Sequence, residues 1–358
     1  MSVLSKLGRW LLELGVRVLF WPGRAVPIDP AKIRRVLVVR PDPRVGNVLL
    51  TVPLCRALAA GLPGATVDLL VARGKERLVQ GLPFIHGIVR FDKRDFFRAP
   101  WRFWRTVRAL RRARYDVAID ASHFHVFSFT SAWLVSRTRA PVRIGHRRGL
   151  AARFLTHPVV HDPATVNDVE AKLELLAPLG LPPAGTALET LVGRDGPQVL
   201  ALLAHGLPTQ RFAAINLGAR KTTHRWAPEH FGALALRLVA MDLVPLLLWG
   251  PGEEALCDAA RVASRNTAVK APPTNLDELA AAFRVSAVAI TNDTGPMHLA
   301  CAVGAKVVAV FLSDDAARWA HPGPRFRGVR VRDEAEPVDA VARAVAELLQ
   351  PSSSTAAR

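Results

Sequence analysis

Three short stretches in the second half of the chain, and one near its start, hold residues able to bind or activate an oxygen-rich ligand. The first is Asn292-Asp293-Thr294-Gly295-Pro296, with His298 two residues on. It follows an apolar run and precedes a helical one. Asp293 or Thr294 can cap the helix, Pro296 suits its first turn, and Gly295 lets the backbone approach a ligand closely. A helix start presents free N–H groups and about half a unit of positive charge, which suits a phosphate. His298, one turn in, could add a hydrogen bond or a charge. A plain cap with a buried histidine remains the structural alternative.

The second stretch, "NLGARKTTHRWAPEHF", gathers Gly218, Lys221, Thr222, Thr223, His224 and Arg225 ahead of a helix starting near Pro228. Flexible backbone, hydroxyls and cations together are anion-binding chemistry, although a solvated loop has the same composition. The third, "WGPGEEAL", places Glu253 and Glu254 where a carboxylate could accept from ribose hydroxyls or simply favour a helix start. Near the other end, "RPDPRVGN" holds Arg40, Asp42, Arg44 and Asn47 in one loop. Asp42 could take a proton from a hydroxyl nucleophile, with Arg40 and Arg44 lowering its basicity, or could pair with those arginines.

These loops need elements to hold them. Strands are expected near 34–39, 66–71, 88–91, 116–120 and 142–144, with helices near 47–60, 101–113, 126–136 and 166–178. After a Pro/Gly-rich stretch at 178–198 the scheme repeats. Strands near 213–217, 244–249, 286–291 and 306–311 alternate with helices near 228–240, 253–264, 275–283 and 296–303. Such alternation predicts α/β architecture, parallel sheets covered on both faces. Two doubly wound, Rossmann-like domains facing a central cleft would carry their ligands at the carboxyl ends of the strands, where the four stretches lie. The boundaries read as a segment 1–30, an N-terminal domain 31–185, a C-terminal domain 186–350 and a disordered tail 351–358. A last helix near 337–349 is placed to cross back to the first domain.

The chain has 358 residues, half of them hydrophobic, which is enough for two cores and argues against wholesale disorder. Three scattered cysteines, Cys55, Cys257 and Cys301, offer neither a disulfide framework nor zinc spacing, in keeping with a reducing, cytoplasmic location. No acidic metal cluster adjoins the four loops. Of the net charge of +18, residues 1–190 supply +16, from 30 Lys and Arg against 14 Asp and Glu. The opening segment has Trp10 and Trp21 around a Leu/Val-rich run broken by Glu13 and Arg17. It is too short to span a bilayer and suits a helix lying in a membrane interface, or one packed on the protein itself. Residues 93–114 hold nine Lys and Arg with one acid, interleaved with Trp101, Phe103 and Trp104. Residues 137–153 add six arginines. This surface suits an acidic or phosphorylated glycolipid, or an anionic bilayer. Nucleic acid is not expected as a partner, because no nucleic-acid module is present.

"NDTGPMHLACAVGAKVVAVF", "GARKTTHRWAPEHF", "LLLWGPGEE" and the opening "VLVVRPDPRVGNVLLTVPLCRAL" together resemble glycosyltransferase family nine, the ADP-heptose:lipopolysaccharide heptosyltransferases. The resemblance covers roughly residues 33–325. It implies a GT-B fold and an inverting, metal-independent transfer without a cofactor, most simply of heptose from ADP-heptose to a lipopolysaccharide-core glycan. The enzyme would work at the inner face of the cytoplasmic membrane. By position, Thr222 and Thr223 would contact the donor phosphates, Glu253 the ribose, and Gly218, His224, Asp293, Thr294, Gly295 and His298 would line the donor pocket. Arg40 and Arg44 would face the acceptor. The family usually has Gly-Asp where this chain has Gly46-Asn47, and that Asp is its proposed base. An amide cannot replace it in proton transfer, although it can orient a hydroxyl. Asp42 is then the nearest substitute, and a non-catalytic relative that binds nucleotide-sugar or glycan is the alternative. His224 stands where many relatives have Lys.

Overall fold

The structure is a computed structural model and describes residues 23–194, 201 and 210–350. The expected interfacial helix up to residue 22, part of the linker after Arg194 and the tail from residue 351 lie outside the described residues. The chain divides into two compact units, one ending at Thr186 and the other beginning at Ala187.

The first unit is built on a six-stranded sheet. Its strands are β1 (Arg35–Arg40), β2 (Thr66–Ala72), β3 (Gly87–Phe91), β4 (Val117–Asp120), β5 (Val142–His146) and β6 (His157–Val159). Their spatial order is β3-β2-β1-β4-β5-β6, and every pair is parallel. Val36 to Val39 are fully buried. A strand buried on both faces needs an unbroken apolar run, and "VLVV" is one. Helices Pro100–Arg112 and Phe129–Arg137 cover one face, with Phe103, Val107, Leu110, Leu134 and Val135 in the core.

The second unit repeats the plan with β7 (Phe212–Asn216), β8 (Val244–Leu248), β9 (Val269–Lys270), β10 (Val288–Asn292), β11 (Val307–Phe311) and β12 (Phe326–Arg330). The order β12-β11-β10-β7-β8-β9 is the same winding. In each unit the strand order reverses beside the first strand, between β1 and β4 and between β7 and β10. Connections there leave toward opposite faces, which opens a crevice at the carboxyl ends. The two switch points therefore select the loops after β1, β4, β7 and β10.

The expected helix over 47–60 is two helices, Val45–Leu49 and Val52–Gly61. Pro53 lacks the N–H that would continue the first, and its ring would meet the carbonyl four residues back. The helix expected over 166–178 is α-helical only over Asp168–Leu173 and tightens to a 3-10 turn at Glu174–Leu179. Three further edge strands, β6, β9 and β12, are short or polar and so carry no apolar run in the sequence. The last helix, Pro337–Leu349, buries Val341, Ala344 and Val345 in the second unit's own core, rather than crossing back. Among the described residues no helix is long and apolar enough to cross a membrane.

Candidate donor and acceptor sites

In the second unit the site is assembled by a residue outside the expected set. Asn292 ends β10 fully buried. Its Nδ2 donates to the Leu217 carbonyl at 2.8 Å, and its Oδ1 accepts the Trp226 N–H at 3.0 Å. The amide thus clamps both ends of the loop that follows β7. Trp226, stacked on His230 and 3% exposed, anchors the far end. The intervening Thr222–His224 forms a 3-10 turn in which Thr222 and Thr223 are exposed and His224 is half-buried.

This clamp sets the loop against the turn after β10. His224 Nδ1 lies 3.3 Å from Asp293 Oδ2, and that carboxylate is 7% exposed. Burial pushes the Asp293 carboxyl up to about 6, against the pull of His224. Asp293 therefore does not cap the helix Gly295–Ala302. Thr294 stands at the cap position in an extended conformation, but its hydroxyl turns back to the Asn292 carbonyl at 3.4 Å. The helix start at Gly295 has no side-chain cap, contrary to the expectation for Asp293 and Thr294, and keeps its positive end for a ligand.

Glu253 closes the same loop from β8. Its Oε2 accepts the Gly250 N–H at 3.0 Å, and Oε1 is 3.8 Å from Arg225 Nη2. A Cβ at Gly218 would lie 1.9 Å from Glu253 Oε2, so only glycine lets the carboxylate rest against this backbone. Glu254 is outside this group and pairs with Lys270 at 2.9 Å. His298 is 5% exposed, and its Nδ1 sits 2.8 Å from His321 Nε2. Burial pushes His321 down to about 4, so it is neutral near pH 7. His298 is therefore a buried, partnered histidine under the helix start, and His321 is its unanticipated support.

In the first unit the structure corrects the reading of Arg40. The residue is 2% exposed and its guanidinium is turned inward, donating to the Ala121 carbonyl at 3.3 Å and to His123 Nε2 at 2.8 Å. Arg40 holds the loop after β4 rather than presenting itself to an acceptor. Arg44 is exposed, and its N–H donates to Asp42 Oδ1 at 2.9 Å. Asp42 is half-buried. Asn47 is 6% exposed; its backbone carbonyl accepts from Thr51, while its buried Nδ2 has no partner among the described residues.

Around Arg40 lies a charged network that sequence reasoning missed. His123 Nδ1 donates to Asp168 Oδ1 at 2.7 Å, and Asp168 also pairs with the buried Lys172 one turn along its helix. Burial lowers His123 to about 4 and Lys172 to about 8. Burial alone would raise the Asp168 carboxyl, but Lys172 and His123 hold it well below its ordinary value. Alongside, Arg148 Nη2 meets Asp120 Oδ2 at 3.0 Å, with Ser122 between them. The signal was available: "DASHFHVF" follows the strand near 116–120 at its carboxyl end, where the rule for open α/β sheets looks for ligands.

Away from these loops, His146 Nε2 and His161 Nδ1 lie 3.2 and 2.9 Å from Glu174 Oε2. As they stand, both rings donate to the carboxylate. Two imidazoles and a carboxylate so close could also accept a divalent cation.

The family described as Glycosyltransferase family 9 (heptosyltransferase) matches residues 103–344. Lipopolysaccharide heptosyltransferase 3 of Escherichia coli is 23% identical over 287 residues, covering 76% of this chain and 82% of that protein. A glycosyltransferase of family 9 from Veillonella parvula superposes with a TM-score of 0.76 at 19% identity, over 91% of this chain and 99% of its own. The Escherichia coli heptosyltransferase WaaC with ADP gives 0.69 at 22% identity, over 88% and 98%. The likeness to these structures, with the two parallel sheets, makes the fold GT-B, as expected.

Proposed function

The chain belongs to glycosyltransferase family 9 and is a glycosyltransferase, and from that premise we propose that it transfers heptose from ADP-heptose to a lipopolysaccharide-core glycan. The observation that supports this most is the Asn292 clamp, which sets His224 on Asp293 beside the uncapped helix start at Gly295. A diphosphate is the ligand such a group suits. The helix end, Lys221 and the Thr222 and Thr223 hydroxyls would meet its oxygens. Glu253 would accept from the ribose hydroxyls.

In the proposed reaction the acceptor hydroxyl oxygen attacks the anomeric carbon. The bond from that carbon to the diphosphate oxygen breaks, its electron pair leaving with ADP. A single displacement inverts the carbon. Leaving-group charge is met by the helix start and the Lys221 loop, and so no metal ion is called for. Asp42, the half-buried carboxylate of the loop after β1, receives the hydroxyl proton, and Asn47 orients that hydroxyl. The acceptor, an anionic glycolipid, is assigned to the basic first unit, with the enzyme peripheral on the cytoplasmic face of the inner membrane. The relatives that bind or transfer ADP-linked heptose by name, such as WaaC with ADP, support the choice of donor.

The experiment is thermal melting of the purified chain with ADP, UDP, GDP or CMP and no added metal. A ligand that binds only the folded state raises the melting temperature. A shift with ADP alone, lost in Asp293→Ala and Thr294→Ala, supports the donor assignment, whereas no shift with any nucleotide overturns it. Asp42→Ala with full turnover would remove Asp42 as the base.

A further inference from the structure

The helix Pro100–Arg112 has more aromatic surface than its core needs. Phe103, Val107 and Leu110 form its buried stripe, at 8, 2 and 1% exposed. Trp101 and Trp104 lie off that stripe at 65 and 42% exposed, and Phe96 and Phe97 of the preceding turn at 46 and 84%. Four large aromatic side chains left in water so close together in sequence mark an interaction surface. Phe96 and Phe97 also line an apolar cavity of about 530 Å³, with Phe103, Phe129 and Trp133 and with Lys93 and Arg94 on its wall.

The exposed charges around this surface are of one sign. Lys93, Arg94, Arg98, Arg102, Arg105, Arg108, Arg111 and Arg112 are all exposed. The two nearby acids are already engaged, Asp92 with Arg94 at 3.2 Å and the buried Asp95 with Arg73. Among the described residues Arg98, Arg102, Arg105 and Arg108 have no carboxylate within pairing distance. Arginine around exposed tryptophan and phenylalanine is the chemistry of an anionic bilayer surface, where rings sit at the headgroup level and cations meet phosphates.

Position adds a further reason. The cluster follows the carboxyl end of β3, and the parallel sheet puts it at the same end as the loop after β1 that holds Asp42 and leads into the helix of Asn47. We infer that the Phe96–Trp104 face docks the enzyme on an anionic phospholipid bilayer, with one acyl chain entering the aromatic cavity. This deepens the membrane-peripheral part of the proposed function by naming the surface that makes the contact.

The test is sedimentation of the full chain with phosphatidylcholine vesicles, with and without about one third phosphatidylglycerol. The wild type is expected to bind the mixed vesicles, to lose them at high salt, and to ignore pure phosphatidylcholine. Phe97→Ser with Trp101→Ser, and separately Arg102→Glu with Arg105→Glu, should each weaken binding about tenfold or more. Neither pair should change the melting shift with ADP, which shows that the fold and the donor site are intact. If both pairs bind as the wild type does, this face is not the docking surface and the contact lies elsewhere, for instance in residues 1–22. If the wild type binds neither vesicle, the membrane reading itself falls, independently of the ADP shift. Binding of single-stranded RNA without vesicle binding would also overturn the inference in favour of nucleic acid.

Discussion

His224 and Asp293 face each other at 3.3 Å across two loops that are 69 residues apart in sequence and are joined by the single amide of Asn292. The carboxylate in this pair is largely withdrawn from water and titrates near 6, against 3.8 for a free aspartate. Between those values the folded state binds more protons than the unfolded one. This group's contribution to stability is therefore complete at acid pH and is lost as pH rises through about 6. Asp293→Asn has no such proton to lose. Relative to wild type it should gain on the order of 1 to 3 kcal/mol between about pH 4 and pH 7.5 by urea denaturation. Over the same range it should lose nucleotide-sugar affinity, the signature of a binding group kept at a cost in stability.

Asn292 satisfies two buried backbone groups, so its removal should be felt beyond its own contacts. Asn292→Ala leaves the Leu217 carbonyl and the Trp226 N–H unpaired, a loss of about 2 to 4 kcal/mol. Asn292→Asp keeps an acceptor for Trp226 but loses the donor for Leu217. Both variants should abolish the melting shift with ADP; an intact shift in the alanine variant would show that the clamp does not shape the site.

At Gly218 the obstacle is steric. An added Cβ would overlap the Glu253 carboxylate, so Gly218→Ala must push Glu253 off the Gly250 N–H. A stability loss of about 1 to 3 kcal/mol is expected from overpacking. ADP affinity should fall by a similar factor to that of Glu253→Ala, and the double variant should be little worse than either single one. Additive losses, measured by titration calorimetry, would separate the two residues.

The buried Asp168–Lys172 pair makes a different claim, on stability alone. Asp168→Asn leaves the ammonium buried without its countercharge, at about 3 to 5 kcal/mol. Because the Asp168 carboxyl is held low, its contribution is present above the ordinary carboxylate range and is lost as pH falls through it. Wild type should therefore lose stability below about pH 4 more steeply than Asp168→Asn does. Parallel acid denaturation curves would contradict this assignment.

Transfer itself should survive chelation. If the helix start at Gly295 and the Lys221 loop meet the leaving diphosphate, turnover with an ADP-linked sugar in excess EDTA should stay within about twofold of that without. Lys221→Ala should lower kcat more than it raises KM. Loss of activity in EDTA, restored by a divalent ion, would reassign the stabilising charge to a metal.

What the amino-acid sequence determined by itself was the scaffold and which loops are candidates for a site. Unbroken apolar strands such as "VLVV" and "VVAVF" alternate with amphipathic helices, and that pattern alone specifies doubly wound sheets with ligand loops at the carboxyl ends. Asp293, Gly295, Thr222 and Glu253 were legible because glycine, proline and polar residues interrupt the periodicity there, and because the D-T-G-P string resembles a known family. Tertiary structure decided the roles. Local sequence makes Asp293 a helix cap, yet packing against His224 turns it into a buried acid. Arg40 was expected to face an acceptor, yet its place at the end of a central strand draws it inward onto His123. The position of His123 after a strand was visible in sequence, but its partnership with Asp168 was not, nor was the clamp made by Asn292, because these contacts join residues 45 to 75 apart. Only the winding order of the strands brings such partners within hydrogen-bonding distance.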